Sequence, residues 1–234
     1  MRANPAVCTN SACRKKFATH SLGMPADPLV CVVDDEKSIQ QSLKRLLDSA
    51  GYATRAYASA RDYLAAEPHT GPCCLILDMN MPGLDGFGLQ RELEGRAEQI
   101  VFLTGFGDVP MCARAMKSGA VDFLSKPVDA DAMLDAVARA LNRSAELGSA
   151  MSVRAKARQK LASFTARERA VFDRVVEGML NKQIAADLGI AEKTVKVHRG
   201  RMMRKAGIVS VSDLVRLAIA AGSAPGATTC KDES

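Results

Sequence analysis

The chain has 234 residues, which is long for one domain and sufficient for two. Apolar residues make up 47% and charged residues 25%, a composition typical of globular proteins. No apolar run is long enough to span a bilayer, and the N-terminus lacks the continuous apolar core of a secretory signal, so we expect no membrane partner. The seven cysteines are scattered and do not form a disulfide framework, which favours the reducing cytoplasm.

The net charge of +6 is distributed unevenly along the chain. Residues 28–142 carry 11 basic and 16 acidic side chains, whereas residues 143–221 carry 16 basic and 7 acidic ones. This asymmetry indicates one half that handles something cationic and one that meets a polyanion. Two domains with unrelated surfaces would give the same asymmetry.

The first half alternates between short apolar runs and segments with helical spacing. The runs are LVCVVDD from residue 29, YATRAYAS, CCLILD, QIVFLTG and DFLSK. The runs lack polar alternation, as expected when helices cover both faces of a sheet. Five strand-helix pairs in about 115 residues predict an α/β doubly wound parallel sheet. Cys31, Cys73 and Cys74 lie in or beside these runs, where a thiol behaves as a small hydrophobe.

Polar side chains stand at the ends of four of these runs. Asp34 and Asp35 end the first, Asp78 the third and Thr104 the fourth, and Lys126 follows the fifth. The ligand crevice of such a sheet lies beyond the carboxyl ends of its strands, so these groups should converge there. Three close carboxylates repel one another unless a cation lies among them, and oxygen ligands favour Mg²⁺.

This set of groups suggests phosphoryl chemistry. An aspartate can act as nucleophile toward a phosphoryl group, while Lys126 and Thr104 bind phosphoryl oxygens. No glycine-rich phosphate loop follows the first strand, so a nucleotide is not indicated.

The second half reads as wholly helical after a polar, basic stretch at 144–163, for which we expect helix first and then a flexible tether. Thr165 and Glu168 form a capping-box pattern. Asn181 and Ser212 are the predicted N-caps of later helices. Two short helices joined at Gly189 suggest a helix-turn-helix, with Ile184, Val195 and Met202 holding the second helix to the core. A solvated basic helix is the alternative explanation.

The motifs in the first half resemble those of response-regulator receiver domains. They are DD at 34–35, DMNMPGLDG at 78–86, LTGFGDVPMCARAMKSGA at 103–120 and DFLSKP at 122–127. The resemblance covers residues 28–143 and implies a flavodoxin-like (CheY-like) sheet of strand order 2-1-3-4-5.

The receiver resemblance also implies a role for each site residue. Asp78 would be the phosphoacceptor, with Thr104 and Lys126 binding the phosphoryl group and Thr104 and Phe123 acting as switch residues. The implied Mg²⁺ ligands are Asp35, Asp78 and the backbone carbonyl of Asn80, with Asp34 in support through water. Lys126–Pro127 would be a cis peptide. Without the family, Phe123 would read as plain core, and Met79 and Met81 as surface or gap-filling residues.

Residues 164–222 are similar to the LuxR-type helix-turn-helix domain, through FTARE, NKQIAADLGI and KTVKVHRGRMMRKAG. Together with the receiver this resembles the FixJ/NarL class of transcription regulators. The implied DNA contacts are Lys182, Lys193, Thr194, Lys196, Val197, His198 and Arg201. His198 could instead pack at the domain edge, and Gly200 removes a side chain that many relatives have.

The resemblance implies a regulator that a histidine kinase phosphorylates, that forms a homodimer on phosphorylation and that binds promoter DNA, with RNA polymerase as a possible further partner. We expect no turnover of small molecules; removal of its own phosphoryl group is the one hydrolytic step that the resemblance leaves open. An aspartyl-phosphate enzyme would need an acid two residues after the nucleophile, where Asn80 stands. The other alternative is a receiver that pairs DNA-binding domains without phosphorylation.

The two ends of the chain lie outside the resemblance. We expect residues 1–27 to be a disordered extension and residues 223–234 a disordered tail. Cys8, Cys13 and His20 would allow a zinc site in the first of these, although an undirected tail fits their loose spacing better.

Overall fold

A computed structural model of the protein describes residues 27–105 and 109–223. The possible zinc ligands Cys8, Cys13 and His20, and the tail from residue 224, lie outside these ranges. The chain divides into two compact units: one comprises the residues up to Glu94 and Glu98–Asn142, and the other Gly95–Ala97 and the residues from Arg143. Within the described ranges, no helix combines the length and apolar character required to cross a bilayer.

The first unit is built on a parallel five-stranded sheet, as predicted. Its strands are β1 (Leu29–Val33), β2 (Ala53–Tyr57), β3 (Cys73–Asp78), β4 (Gln99–Thr104) and β5 (Asp122–Ser125). The strand order is β2-β1-β3-β4-β5, and every pair is parallel. The strand β2 is thus added on one side of β1, and the strands from β3 onward are added on the other side. This change of direction in the strand order places the ligand crevice beside the carboxyl ends of β1 and β3.

Helices cover both faces of this sheet. They are α1 (Lys37–Ser49), α2 (Ala60–Ala65), α3 (Gly86–Glu92), α4 (Val109–Lys117) and the first part of α5 (Ala130–Ala162). Successive side chains of a strand point to opposite faces, so Val30 and Val32 enter one core while Cys31 and Val33 enter the other. Two-sided burial explains the continuous apolar runs in the sequence.

The buried cysteines behave as the sequence suggests. Cys31, Cys73 and Cys74 form no disulfide within the described ranges and are at most 2% exposed. The Sγ atoms of Cys31 and Cys73 lie 4.0 Å apart on neighbouring strands. Burial raises the pKa of Cys74 above its usual value, so this thiol serves as a packing group.

The expected tether is wrong. Helix α5 continues without a break to Ala162, through the whole segment where we predicted helix and then irregular chain. The segment contains many good helix formers and no proline, which lets the helix propagate. Ala157 and Leu161, which are 4% and 5% exposed, belong to the core of the second unit. The end of α5 is therefore held by packing.

Four further helices complete the second unit: α6 (Ala166–Val176), α7 (Asn181–Leu188), α8 (Glu192–Ala206) and α9 (Val211–Ala221). The capping box of Thr165 and Glu168 at the start of α6 is present as predicted. Gly189 ends α7 with φ of 62°, a left-handed conformation that glycine adopts without steric cost. The turn between α7 and α8 therefore depends on this residue.

Two N-caps differ from the prediction. Leu180 precedes α7, and its N–H donates to Gln183 Oε1 at 2.7 Å, while Asn181 is already helical. The Oδ1 of Asn181 accepts instead from Arg199 at 2.9 Å. At α9 the cap is Ser210, whose Oγ accepts from the backbone N–H of Asp213 at 3.1 Å, rather than Ser212.

Candidate functional site

The carboxyl edge of the sheet brings the three predicted acids together. Strands β1 and β3 are adjacent, with Val33 opposite Leu77, so the acids that follow them meet. One carboxylate oxygen from each of Asp34, Asp35 and Asp78 lies within 4.8 Å of the others. Asp34 is fully buried and Asp78 is 5% exposed, whereas Asp35 is exposed to solvent. The cluster is therefore buried at Asp34 and Asp78 and open to solvent at Asp35.

Lys126 completes this cluster from the position directly after β5, the strand that lies two places from β3 in the sheet. Its Nζ lies 2.8 Å from Asp34 Oδ2 and 3.2 Å from Asp78 Oδ1. Lys126–Pro127 is a cis peptide, as the resemblance implied, and the N–H of Lys126 donates to Thr104 O at 2.7 Å. The ammonium group therefore bridges two carboxylates that would otherwise repel each other.

Burial and charge act against each other at this cluster. Burial raises the pKa of Asp78 above its usual value, and the nearby Lys126 ammonium only partly offsets this effect. Burial alone would lower the pKa of Lys126, but the hydrogen bond and the charge of Asp34 outweigh it, and the pKa is raised. Lys126 stays charged, and Asp78 is less acidic than a free carboxyl group.

The other predicted receiver residues lie near this edge. Thr104 ends β4, where its neighbour Leu103 pairs with Asp78, and Thr104 is fully buried. Asn80 lies two residues beyond Asp78 and is exposed. Phe123 is partly buried and packs against one of the sheet's two cores. Met79 and Met81, which the sequence left as surface or gap-filling residues, are buried in that core.

One residue at this edge was missed from the sequence. Gln40, in the second turn of α1, donates from Nε2 to the backbone oxygens of Asp34 at 2.5 Å and Tyr57 at 3.2 Å. It ties the ends of β1 and β2 to the helix and so fixes the backbone that carries the buried acid. Nothing in the local sequence distinguishes Gln40 from an exposed helical glutamine.

In the second unit, helix α8 presents a basic surface. Val195, Met202 and Ala206 are buried in the core with Ile184 of α7, as the helix-turn-helix prediction required. The opposite side of α8 is exposed and carries Lys193, Lys196, Val197, Gly200, Arg201 and Arg204.

The predicted DNA contacts differ in the exposure of their side chains and in whether these already form ion pairs. Lys182, Lys193 and Arg201 are exposed and form no ion pair with the residues that the structure describes. Lys196 pairs with Glu192 at 3.1 Å on the surface. Thr194 is half-buried. The free cations are available to phosphates, and the exposed Lys196 pair is weak enough to exchange partners.

His198 is half-buried on the flank of α8. Its Nδ1 atom is buried and has no hydrogen-bond partner within the described ranges. The partial burial of His198 favours the packing role over that of a fully exposed DNA contact. Its place among the DNA contacts remains a prediction.

A second missed feature is an ion pair between α6 and α8. Lys205 Nζ lies 2.6 Å from Glu168 Oε2, whose side chain is 4% exposed. The hydrogen bonds from Lys205 and from the backbone of Thr165 lower the pKa of Glu168. The two residues are 37 positions apart, and only the capping box was visible in the sequence.

An acidic site at the carboxyl edge of a doubly wound sheet, joined in one chain to a helix-turn-helix unit with a basic face, defines a two-domain regulatory protein that binds DNA. Comparison with known proteins agrees. Residues 30–138 match the response regulator receiver domain, and residues 162–218 match the bacterial regulatory proteins of the luxR family.

Similar proteins extend over most of the chain. The transcriptional regulatory protein FixJ of Azorhizobium caulinodans is 41% identical over 204 residues, which cover 86% of this chain and 97% of that protein. Nodulation protein W of Bradyrhizobium diazoefficiens is 42% identical over 191 residues, or 81% of this chain and 84% of that protein. The solved structure of the response regulator StyR aligns with a TM-score of 0.72 at 42% identity and covers 83% of this chain and 99% of its own.

The chain belongs to the two-component response regulators with a receiver domain and a LuxR-type DNA-binding domain, and it is similar to the FixJ regulators among them.

Proposed function

We propose that this protein is a transcription regulator controlled by phosphorylation of Asp78. The observation that carries the proposal is the bridge from Lys126 to Asp34 and Asp78 at the open carboxyl edge of the sheet. Asp78 lies at the tip of β3 beside a fixed cation, which is the arrangement a phosphoacceptor needs. A histidine kinase in the cytoplasm is the proposed donor.

The transfer is a single displacement at phosphorus. A carboxylate oxygen of Asp78 forms the new P–O bond, the P–N bond of the donor phosphohistidine breaks, and the imidazole leaves with the electron pair. Lys126, already 3.2 Å from Asp78 Oδ1, is placed to bind a phosphoryl oxygen, and Thr104 at the end of the next strand binds another. Both stabilise negative charge that the acids alone would repel.

The donor set also fits a hard divalent cation. Three carboxylates offer oxygen atoms within 4.8 Å of one another, with one acid exposed at the mouth. Asp35, Asp78 and the backbone carbonyl of Asn80 would hold Mg²⁺, with Asp34 in support. When bound, the ion supplies neutralisation of charge on the phosphoryl oxygens.

Phosphorylation would act by shifting an equilibrium. The new group adds about −1.5 to −2 charges, with the phosphoserine value standing in for an acyl phosphate. Thr104 moves toward it, Phe123 turns inward, and the surface around α4 and β5 changes so that receivers pair as a homodimer. Moving an equilibrium from 1:99 to 99:1 needs about 5.5 kcal/mol of differential interaction.

Pairing of receivers would bring two DNA-binding units to one promoter. Half-sites on opposite sides of a two-fold axis lie about 34 Å apart, one turn of DNA. The free cations Lys182, Lys193 and Arg201 would meet phosphates, while Lys196 and Val197 would face bases. RNA polymerase is a further partner that a promoter-bound regulator would meet.

The alternative is a receiver that pairs DNA-binding units without phosphate. Mass spectrometry after incubation with Mg²⁺ and acetyl phosphate distinguishes the two. We expect a gain of one phosphoryl group in the native protein, and none in Asp78→Asn. Asp85→Asn is the matched control, because Asp85 is another carboxylate near the edge whose N-cap role asparagine can replace.

Binding to DNA completes the test. Footprinting with and without acetyl phosphate should show stronger protection of a promoter by the phosphorylated chain. Absence of the mass gain, together with identical footprints for native protein and Asp78→Asn, would favour the pairing module.

A further inference from the structure

The buried carboxylate of Glu168 connects three parts of the DNA-binding unit. It lies in the first turn of α6, and its Oε2 accepts from the backbone N–H of Thr165 at 2.8 Å. The same oxygen accepts from Lys205 Nζ at 2.6 Å. Lys205 Nζ also donates to the backbone oxygen of Ser163 at 3.2 Å. The last turn of α8 is thus attached to the junction where α5 ends and α6 begins.

Lys205 differs from the other cations of its helix. Lys193 and Arg201 are exposed and form no ion pair with the described part of the chain, and Lys196 pairs only with an exposed glutamate one turn away. Lys205 instead pairs with a carboxylate that is almost inaccessible to water. The Lys205 side chain is itself 39% exposed, but moving its ammonium group to a DNA phosphate would leave the buried Glu168 carboxylate without its partner, which is costly.

Apolar contacts alone do not fix the orientation of α8. Val195, Met202 and Ala206 hold it to the core, but burial of apolar surface has no preferred direction. A charge-assisted hydrogen bond is short and directional, so it can select one rotation and one axial position of the helix. Reading base edges requires side chains placed to within about 0.5 Å.

We propose that Glu168 and Lys205 are positioning residues that set the orientation of α8 for reading DNA, and that Lys205 is not itself a phosphate contact. This inference rests on the proposed role of α8 in binding DNA. It predicts that loss of the ion pair harms sequence-specific binding while leaving non-specific binding intact.

Salt dependence separates the two roles of a lysine. A phosphate contact adds about one unit to the slope of log affinity against log salt concentration, whereas a positioning contact adds none. The full-length protein, with Mg²⁺ and acetyl phosphate, would first select duplexes from a pool with about 20 randomised base pairs, the length of two half-sites. Affinities for a selected duplex and for its shuffled version would then be measured over a range of salt.

Lys205→Met should bind the selected duplex about tenfold more weakly, the effect of about 1.4 kcal/mol, and the shuffled duplex as the native protein does. Its salt slope should be unchanged. Lys193→Met, on the exposed side of the same helix, is the matched control and should lower both affinities and reduce the slope by about one. Lys205→Arg should restore most of the specific affinity, because it retains the charge and the donors.

Glu168→Gln provides the independent variant, because glutamine keeps an oxygen for the Thr165 cap while the charge is lost. Glu168→Gln should weaken binding to the selected duplex, as Lys205→Met does. The double variant should bind this duplex only slightly more weakly than either single variant, since both substitutions remove the same contact. Circular dichroism and thermal melting check that each variant is folded.

Two outcomes would overturn the proposal. A reduced salt slope in Lys205→Met, with equal losses on both duplexes, would make Lys205 a phosphate contact. A folded Glu168→Gln that binds the selected duplex like the native protein would show that the ion pair positions nothing. If the native protein selects no sequence, the proposed DNA-binding function itself fails, and this inference fails with it.

Discussion

Replacing Lys126 by methionine tests the electrostatics of the acidic edge most directly. The substitution keeps an unbranched side chain, one heavy atom shorter, but leaves the buried Asp34 and Asp78 without their shared cation. At an effective dielectric constant of about 20, contacts of 2.8 and 3.2 Å each represent roughly 5 to 6 kcal/mol of Coulomb attraction. Desolvation of the ammonium group opposes most of this.

The net effect is smaller than the Coulomb sum. Removal of one partner from a buried ion pair costs about 3–5 kcal/mol. Since the Lys126 side chain keeps 17% of its surface exposed, we expect the lower end of that range, about 3 kcal/mol of unfolding free energy at neutral pH in a chelator. Mg²⁺ should recover much of the loss, since 100-fold excess over the dissociation constant adds about 2.7 kcal/mol. The native protein should gain less, because the ammonium group repels the ion.

Tyrosine fluorescence during urea unfolding is a suitable assay. The chain has no tryptophan, and its three tyrosines, Tyr52, Tyr57 and Tyr63, all lie in the receiver half. The signal therefore reports the receiver without contribution from the DNA-binding unit. Lys44→Met is the matched control: its pair with Asp48 is about half exposed and should contribute less than about 0.5 kcal/mol. Equal stability of Lys126→Met and native protein in the chelator, or a deficit that Mg²⁺ leaves unchanged, would refute the reasoning.

Five further substitutions test the acidic edge, the backbone of α7 and α8, and the end of α5. Asp78→Asn should stabilise the receiver in a chelator, because the pKa of Asp78 is raised in the folded state and its ionised form disfavours folding. The gain in unfolding free energy should be absent well below pH 4 and should grow as pH rises. A pH-independent gain in the tyrosine unfolding curves would contradict this expectation. Gly189→Ala should lower the melting temperature seen by circular dichroism, through about 1 kcal/mol of left-handed strain, whereas Gly200→Ala, in the open middle of α8, should raise it by a similar free energy; the same sign for both would be inconsistent with the backbone argument. Leu161→Ala should destabilise the second unit by about 2–4 kcal/mol, because Leu161 is buried in its core. Val153→Ala, at a residue that is 54% exposed, should cost less than about 0.5 kcal/mol. Both effects are measured by circular dichroism, and equal effects would show that the end of α5 is not part of that core.

The sheet and its acidic edge were predictable because both follow from local patterns. Strands covered on both faces must be continuously apolar, and parallel strands place their carboxyl ends at one edge. Asp34 and Asp78 could therefore be brought together from sequence alone. The bridge from Lys126 to Asp34 spans 92 residues, and no local pattern gives its distance or the burial that makes it matter.

The errors have a common physical origin. The caps at Leu180 and Ser210 depend on backbone angles that neighbouring polar residues do not reveal, so Asn181 and Ser212 were equally plausible. The tether prediction used polarity as a sign of irregular chain, whereas polar side chains with high helix propensity extend a helix whenever one face can pack. Glu168 was visible in the sequence as part of the capping box, but its pairing with Lys205 depends on tertiary packing.

The burial of Ala157 and Leu161 has a practical consequence for dividing this chain. An excised DNA-binding fragment that starts at Phe164, where the family motif begins, would lack both side chains and leave their apolar sockets open to water. Such a fragment should self-associate and be less soluble, because apolar surface of its core is exposed. A fragment that starts near Arg143 would keep Ala157 and Leu161 and so keep that surface buried.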